Sequence, residues 1–217
     1  MIFIHGTPGS ADGWSDYLLN VPDGFDYVAV DRPGFGASGP RGSVPSLGDQ
    51  AAALAPLLVS RRGRLPILVG HSLGGPIAAQ IAADYPGKVG ALVIVAGSLD
   101  PELEQIHWAQ PLGEWVGLRA LLPRAMRNAN QELLALKPHL EALAPRLVTL
   151  NCPVVIVHGT ADRLVPYANV AFMQKMMTSI RPRVITLEKR DHFLPWKEAD
   201  EVRNAIALAA ESAAGRC

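Results

Sequence analysis

The sequence predicts an α/β fold in which a mostly parallel central sheet is flanked by helices. Three features point to this. Short apolar runs rich in Val and Ile recur along the 217 residues. They are continuously apolar rather than alternating, which is how strands covered on both faces of a parallel sheet read. Stretches with helical periodicity and capping residues stand between them.

Taken in order, "IFI" (2–4) is the first strand and runs into the turn "HGTPGS". "YVAV" (27–30) is the second and ends in "DRPGFGAS". "SLGDQAAALAPLLVSRRG" (46–63) has a Ser start, one apolar face and a Gly stop, and predicts a helix. "LPILVG" (65–70) is a strand, and the Ala-rich "SLGGPIAAQIAADYPG" (72–87) is a helix beginning near Leu73 and closing at Pro-Gly. "ALVIVAG" (91–97), "PVVIVHG" (153–159) and "RVITL" (183–187) complete the strands; "YANVAFMQKMMTSI" (167–180) and "EADEVRNAIALAAESAAG" (198–215) complete the helices. Residues 99–151 hold no convincing strand. They predict several short helices broken by Pro111, Pro123, Pro138 and Pro145, too long for an ordinary crossover. The expected organisation is therefore a core of residues 1–98 and 152–217 with a helical cap or lid over 99–151.

Composition narrows the classes. Acidic and basic residues balance at 20 each, which leaves no footprint for nucleic acid or for a polybasic membrane patch. No segment approaches the ~20 apolar residues of a membrane span. No charged segment followed by an apolar run opens the chain, so the default compartment is the cytoplasm. Two cysteines, Cys152 and Cys217, make no disulfide framework and have no metal-site company. His107 and His139 show no ligand spacing either, so no metal site is expected.

The chemistry is concentrated in three loops. "VGHSLGGP" (69–76) places Ser72 between Gly70 and Gly74, after a strand and at the start of a helix. A sharp turn there lifts the serine oxygen clear at the C-terminal end of the sheet, and the N–H of Leu73 lies at a helix N-terminus, where donors are free. A serine hydroxyl needs a base, and the base needs an orienting acid. His192 in "KRDHFLPW" follows the last strand, and Asp162 in "HGTADRLVP" follows the preceding one. The order Ser72, Asp162, His192 puts every member in a loop after a strand. Asp100 in "AGSLDP" is the rival acid. The turn after "IFI" exposes backbone N–H groups, and that of Thr7 is the candidate partner of Leu73 in an oxyanion hole. Asp31 reads as a loop organiser, and His71 and His158 as packing or loop-bonding histidines. Trp108, Leu112, Trp115 and Leu118 are candidates to line a substrate pocket.

Through His5-Gly6-Thr7-Pro8-Gly9, Asp31-Arg32-Pro33-Gly34-Phe35-Gly36-Ala37-Ser38, Gly70-His71-Ser72-Leu73-Gly74-Gly75, Asp162 and His192, the chain resembles the serine hydrolases of the α/β-hydrolase fold superfamily. The resemblance implies a Ser-Asp-His triad, an oxyanion hole from the serine turn and the His-Gly loop, and no cofactor. A carboxylic-ester hydrolase is the leading expectation, and the apolar residues of the expected cap favour small or medium apolar substrates. Cleavage of carbon–carbon bonds, lactones or amides, and perhydrolysis, would use the same residues; a non-catalytic binding module would be favoured by a missing triad member, and none is missing. The family's sheet ordinarily has two strands ahead of the His-Gly strand, whereas this sequence opens at "IFIHG". The chain is thus either shortened or continued upstream. Without those strands residues 27–30 form a bare apolar sheet edge, and self-association through it is expected.

Overall fold

The computed structural model describes residues 1–104, 114–115 and 121–215. Among them, six strands form one parallel sheet: β1 (Ile2–Ile4), β2 (Val28–Val30), β3 (Ile67–His71), β4 (Ala91–Val95), β5 (Val154–Gly159) and β6 (Arg183–Leu187). Their order across the sheet is β2-β1-β3-β4-β5-β6. The first strand therefore lies inside the sheet, with Ile2 opposite both Val28 and Leu68.

The continuously apolar runs have the predicted cause. In β3, β4 and β5 every residue is buried, and alternate side chains enter different cores. Leu68, Leu92, Ile94, Val154 and Ile156 face one side. Val69, Val93, Val95, Val155 and Val157 face the other. The first side is covered by α2 (Leu47–Leu54) and α3 (Gly74–Asp84), together with Leu136, Leu140 and Leu143 of α4 (Arg124–Leu143) and Met173 of α5 (Ala168–Met176). The second is covered by Trp14 and Tyr17, the latter in α1 (Ser15–Leu19), and by Val202, Ala205, Ile206 and Ala209 of α7 (Ala199–Ala214). A short helix, α6 (Leu194–Lys197), leads into α7.

Two expected elements come out differently. The helix expected over 46–63 starts as read, with the Ser46 hydroxyl accepting from the Asp49 N–H at 3.2 Å, but α2 stops at Leu54. Pro56 lacks the N–H that the next turn would need, and a single 3₁₀ turn over Ala55–Leu57 follows. The second concerns Pro138, expected to break a helix. Instead α4 runs through it for 20 residues. Pro138 lies on the exposed face, while Leu136, Leu140 and Leu143 on the opposite face are buried. Burial of three leucines at roughly 1.5–3 kcal/mol each outweighs the ~3 kcal/mol that a proline costs inside a helix. Pro123 instead precedes α4, and Pro145 opens the 3₁₀ turn over Ala144–Thr149. The expected break at Pro111 lies outside the described residues.

β2 is the sheet edge among the described residues. Its Val28 is 44% exposed, unlike the fully buried central strands. Every strand points its C-terminal end the same way, so the loops after β1, β3, β5 and β6 gather at one end of the sheet.

Candidate active site

Between the end of β3 at His71 and the start of α3 at Gly74 the chain reverses in two residues. Ser72 pivots the reversal at φ +54°, the left-handed region that a residue with a Cβ enters only under constraint. Its N–H donates to the Val95 carbonyl at 3.0 Å, and its own carbonyl accepts from Gly75 at 2.9 Å. The turn is possible only because side chains are missing around it. A Cβ on Gly70 would sit 2.2 Å from the Gly74 oxygen, and one on Gly74 would sit 2.2 Å from the Ile4 oxygen. The loop after β1 reaches the same place: a Cβ on Gly6 would lie 2.8 Å from the Ser72 Cβ. The hydrogen bonds among the described residues leave the N–H groups of Leu73 and Thr7 unused.

His192 and Asp162, both buried, meet from the loops after β6 and β5. The His192 Nδ1–H donates to Asp162 Oδ2 at 2.7 Å. The other carboxylate oxygen, Oδ1, accepts from the N–H groups of Leu164 at 2.9 Å and Val165 at 2.8 Å. Burial by itself would raise the Asp162 pKa. The hydrogen bonds from His192, Val165 and Leu164 outweigh it and hold the carboxyl below its ordinary value, so the group is a carboxylate at neutral pH.

His71, beside the serine, ties His192 to this turn. Its Nε2–H donates to the His192 carbonyl at 3.0 Å, and the two rings lie 4.8 Å apart, centre to centre. Burial, and then the neighbouring His192, lower the His71 pKa to about 3, so it is neutral. His158 donates from Nε2 to the Val165 carbonyl at 2.9 Å and lies 3.6 Å from Asp162 Oδ2. Both histidines are loop-bonding residues in this geometry, in line with the sequence reading. Asp31 likewise accepts from the N–H groups of Ala11 and Ala37, each at 2.8 Å, and organises the loop after β2. Asp100 accepts from Glu102 N–H at 3.0 Å, within its own turn. Of the four candidate pocket residues, Trp108, Leu112 and Leu118 lie outside the described residues, as does His107; Trp115 is 71% exposed. Among the described residues no three His, Cys, Asp or Glu side chains converge as a metal site would require.

A second polar cluster lies beyond the sequence reading. Arg32, fully buried, makes a two-pronged ion pair with Glu132 of α4, with Nη1 to Oε1 at 2.7 Å and Nη2 to Oε2 at 3.0 Å. Glu132 also accepts from Thr7 Oγ1 at 2.6 Å and Gln50 Nε2 at 2.7 Å. Arg32 donates in addition from Nε to the His5 carbonyl at 2.9 Å and from Nη2 to the Gly6 carbonyl at 3.0 Å. The neutral His5 ring joins in, with Nδ1 to the Gly6 carbonyl at 2.7 Å and Nε2 accepting from Arg32 N–H at 3.0 Å. Burial, and then the Arg32 charge, lower its pKa to about 4. The signal that could have revealed this cluster is in α4: Glu132 precedes Leu136, Leu140 and Leu143 on the same helical stripe, and a carboxylate on an apolar stripe requires a buried partner.

Comparison with known proteins places the chain. Over 96 residues, 44% of this chain, it is 36% identical to the dihydrolipoyllysine-residue acetyltransferase component of an acetoin cleaving system from Cupriavidus necator, of whose length the match spans 26%. It is 26% identical to a 2-hydroxy-6-oxononadienedioate/2-hydroxy-6-oxononatrienedioate hydrolase from a Pseudomonas species, across 95% of this chain and 86% of that one. Among solved structures, a monoacylglycerol lipase from Paleococcus ferrophilus shares the fold with a TM-score of 0.76 and 18% identity, covering 98% of this chain and 93% of that one. The family model described as "Alpha/beta hydrolase family" matches residues 1–205, nearly the whole sequence and every loop of the site, and the chain belongs to that family.

Proposed function

We propose that the protein is a serine hydrolase that cleaves carboxylic esters of small to medium apolar substrates through an acyl-enzyme. The observation that carries this reading is the buried 2.7 Å hydrogen bond from His192 Nδ1–H to Asp162, with the His192 carbonyl tied to His71, the neighbour in sequence of Ser72, whose backbone is held at φ +54°. With its Nδ1 proton engaged, a neutral His192 presents a lone pair at Nε2, the atom that accepts a serine proton. Ser72 Oγ attacks the acyl carbon as His192 takes its proton. The oxyanion forms against the N–H groups of Leu73 and Thr7. The tetrahedral intermediate collapses, the C–O bond to the leaving group breaks, and His192 delivers the proton to the departing alkoxide. Water then attacks the acyl-enzyme, His192 again takes and returns a proton, and the carboxylic acid leaves with Ser72 regenerated. Asp162 holds the productive tautomer throughout and balances the imidazolium. In this reading the lid proposed over 99–151 excludes the leucine face of α4, which is packed into the core.

A second reading, hydrolysis of a carbon–carbon bond by the same residues, is favoured by the similarity to the 2-hydroxy-6-oxononadienedioate hydrolase across nearly the full chain. Two measurements test both. Covalent labelling by a fluorophosphonate is expected for the wild type and not for Ser72→Ala; an unlabelled wild type refutes the serine mechanism. A panel of p-nitrophenyl esters of increasing acyl length, run beside a 2-hydroxy-6-oxo dienoate, then separates the reactions. Turnover of the dienoate alone would replace the ester assignment with the second reading.

A further inference from the structure

We infer that Glu132 is a positioning residue for the oxyanion hole, acting from α4 through Arg32 and the Thr7 hydroxyl on the direction of the Thr7 N–H. The inference rests on the serine-hydrolase reading above and adds a residue that contributes no atom to the reacting groups.

The geometry concerns one peptide unit. The carbonyl of Gly6 and the N–H of Thr7 lie in the same rigid plane and point in opposite directions within it. Whatever fixes the carbonyl therefore aims the N–H. Two donors fix this carbonyl, Arg32 Nη2 at 3.0 Å and His5 Nδ1 at 2.7 Å, while Arg32 Nε holds the preceding carbonyl of His5 at 2.9 Å. On the far side of the unit, Thr7 Oγ1 donates to Glu132 at 2.6 Å. The turn is thus gripped at each of its three residues, and Gly6 is close enough to Ser72 that its position sets the opening in front of the nucleophile. Gly6 also makes this peptide easy to rotate when unrestrained. Such a rotation would turn the Thr7 N–H away from the developing oxyanion and bring a carbonyl oxygen toward it, which is repulsive.

Glu132 is what makes the grip possible. Arg32 is fully buried, and Glu132 is 1% exposed. A guanidinium there requires a paired carboxylate, and the two-pronged contact fixes its plane as well as its charge. Gln50 donates to the same carboxylate at 2.7 Å and holds it in place. α4 is anchored to the neighbouring loop by further contacts. Asn128 Nδ2 donates to the Gly34 carbonyl at 2.7 Å, Ser43 Oγ donates to Gln131 Oε1 at 2.6 Å, and Arg124 reaches the Gly36 carbonyl. The seating of α4 and the direction of the Thr7 N–H are in this way one structural variable.

Glu132→Gln risks unfolding by leaving Arg32 unpaired, so the decisive variant is Thr7→Val. It keeps the backbone N–H, the side-chain shape and the Arg32–Glu132 pair, and removes only the hydroxyl bond to Glu132. Thr7→Ser restores that bond. The readouts are the second-order rate of fluorophosphonate labelling at Ser72, and kcat and KM on p-nitrophenyl acetate, beside a thermal melt. Complete loss of one oxyanion donor costs ~10²–10³ in rate, and a misaimed donor is expected to cost roughly 10 to 10². Thr7→Val should slow labelling and lower kcat by that factor, with KM within about twofold and an unchanged melt, and Thr7→Ser should recover most of the loss. Labelling of Thr7→Val at the wild-type rate, or a loss carried by KM alone, overturns the inference while leaving the serine mechanism standing. A wild type that does not label at Ser72 overturns both.

Discussion

Replacing Asp162 by asparagine exchanges a single oxygen for an amide nitrogen and reverses a hydrogen bond. The Asp162 Oδ1 accepts two backbone N–H groups at 2.9 and 2.8 Å, neither of which can do anything but donate. The amide introduced by Asp162→Asn must keep its oxygen there, so its NH₂ faces His192 Nδ1. That nitrogen then has to accept, its proton moves to Nε2, and the atom that should receive the serine proton is already protonated. Enforcing the wrong tautomer in such a unit lowers kcat by about 10⁴, or roughly 5 kcal/mol at 1.36 kcal/mol per decade. A separate count gives a similar size. A carboxylate and an imidazolium with charge centres about 4 Å apart attract by ~4 kcal/mol at an effective dielectric constant near 20, which is close to 10³ in rate. These describe the same loss and are not summed. The expected result for Asp162→Asn is a fall of about 10³–10⁴ in kcat with KM within about twofold, measured with a p-nitrophenyl ester. Circular dichroism and the melt should be near wild type, because the shape and both backbone bonds survive. Asp100→Asn should leave the rate unchanged, since that carboxylate caps only its own turn. Retention of more than a tenth of wild-type kcat by Asp162→Asn would refute the reasoning, and a collapse in Asp100→Asn would move the acid to the loop after β4.

Three further outcomes are expected. Ser72→Ala and His192→Ala should each remove most turnover and combine non-additively, because each disables the same unit; a double variant much slower than either single would contradict this. Stability should fall on acidification from neutral pH. His5 and His71 are held neutral, at about 4 and about 3 against an ordinary 6.5, so the unfolded chain takes up protons first. Their contribution is fully present above pH 6.5 and is lost by up to about 1.4 kcal/mol per histidine per pH unit below it, until they titrate in the folded state. Urea unfolding that gives equal stability at pH 7 and pH 5 would refute this. Lastly, the β2 edge, with Val28 44% exposed, should promote association as concentration rises. A monomer at all concentrations, with rapid amide exchange over 28–30, would show the edge to be harmless.

The parts legible in the sequence were those with local signatures. Buried strands announce themselves by runs such as "ALVIV", and the reversal at Ser72 by the glycines that its close contacts demand. The meeting of Asp162 and His192 was legible because parallel topology gathers the loops after β5 and β6 at one sheet end. The Arg32–Glu132 pair spans 100 residues, and nothing near either residue specifies the other. Arg32 sits in a loop where a surface arginine reads the same way, and only the apolar stripe of α4 marks Glu132 as buried. Pro138 misled for a related reason: a local rule about proline yields to burial on the other side of the same helix.

The parallel sheet gives the site an awkward assembly order. Its pieces are far apart in sequence: one turn follows β1, while His192 follows β6. Because β1 is an interior strand placed between β2 and β3, it cannot finish pairing until Ile67–His71 has been made. The Ser72 turn is thus made long before His192. On the proposed mechanism, a chain emerging during synthesis holds a folded Ser72 turn yet turns over nothing until His192 is in place, so the onset of hydrolysis in a translating mixture would time the arrival of β6 and its loop.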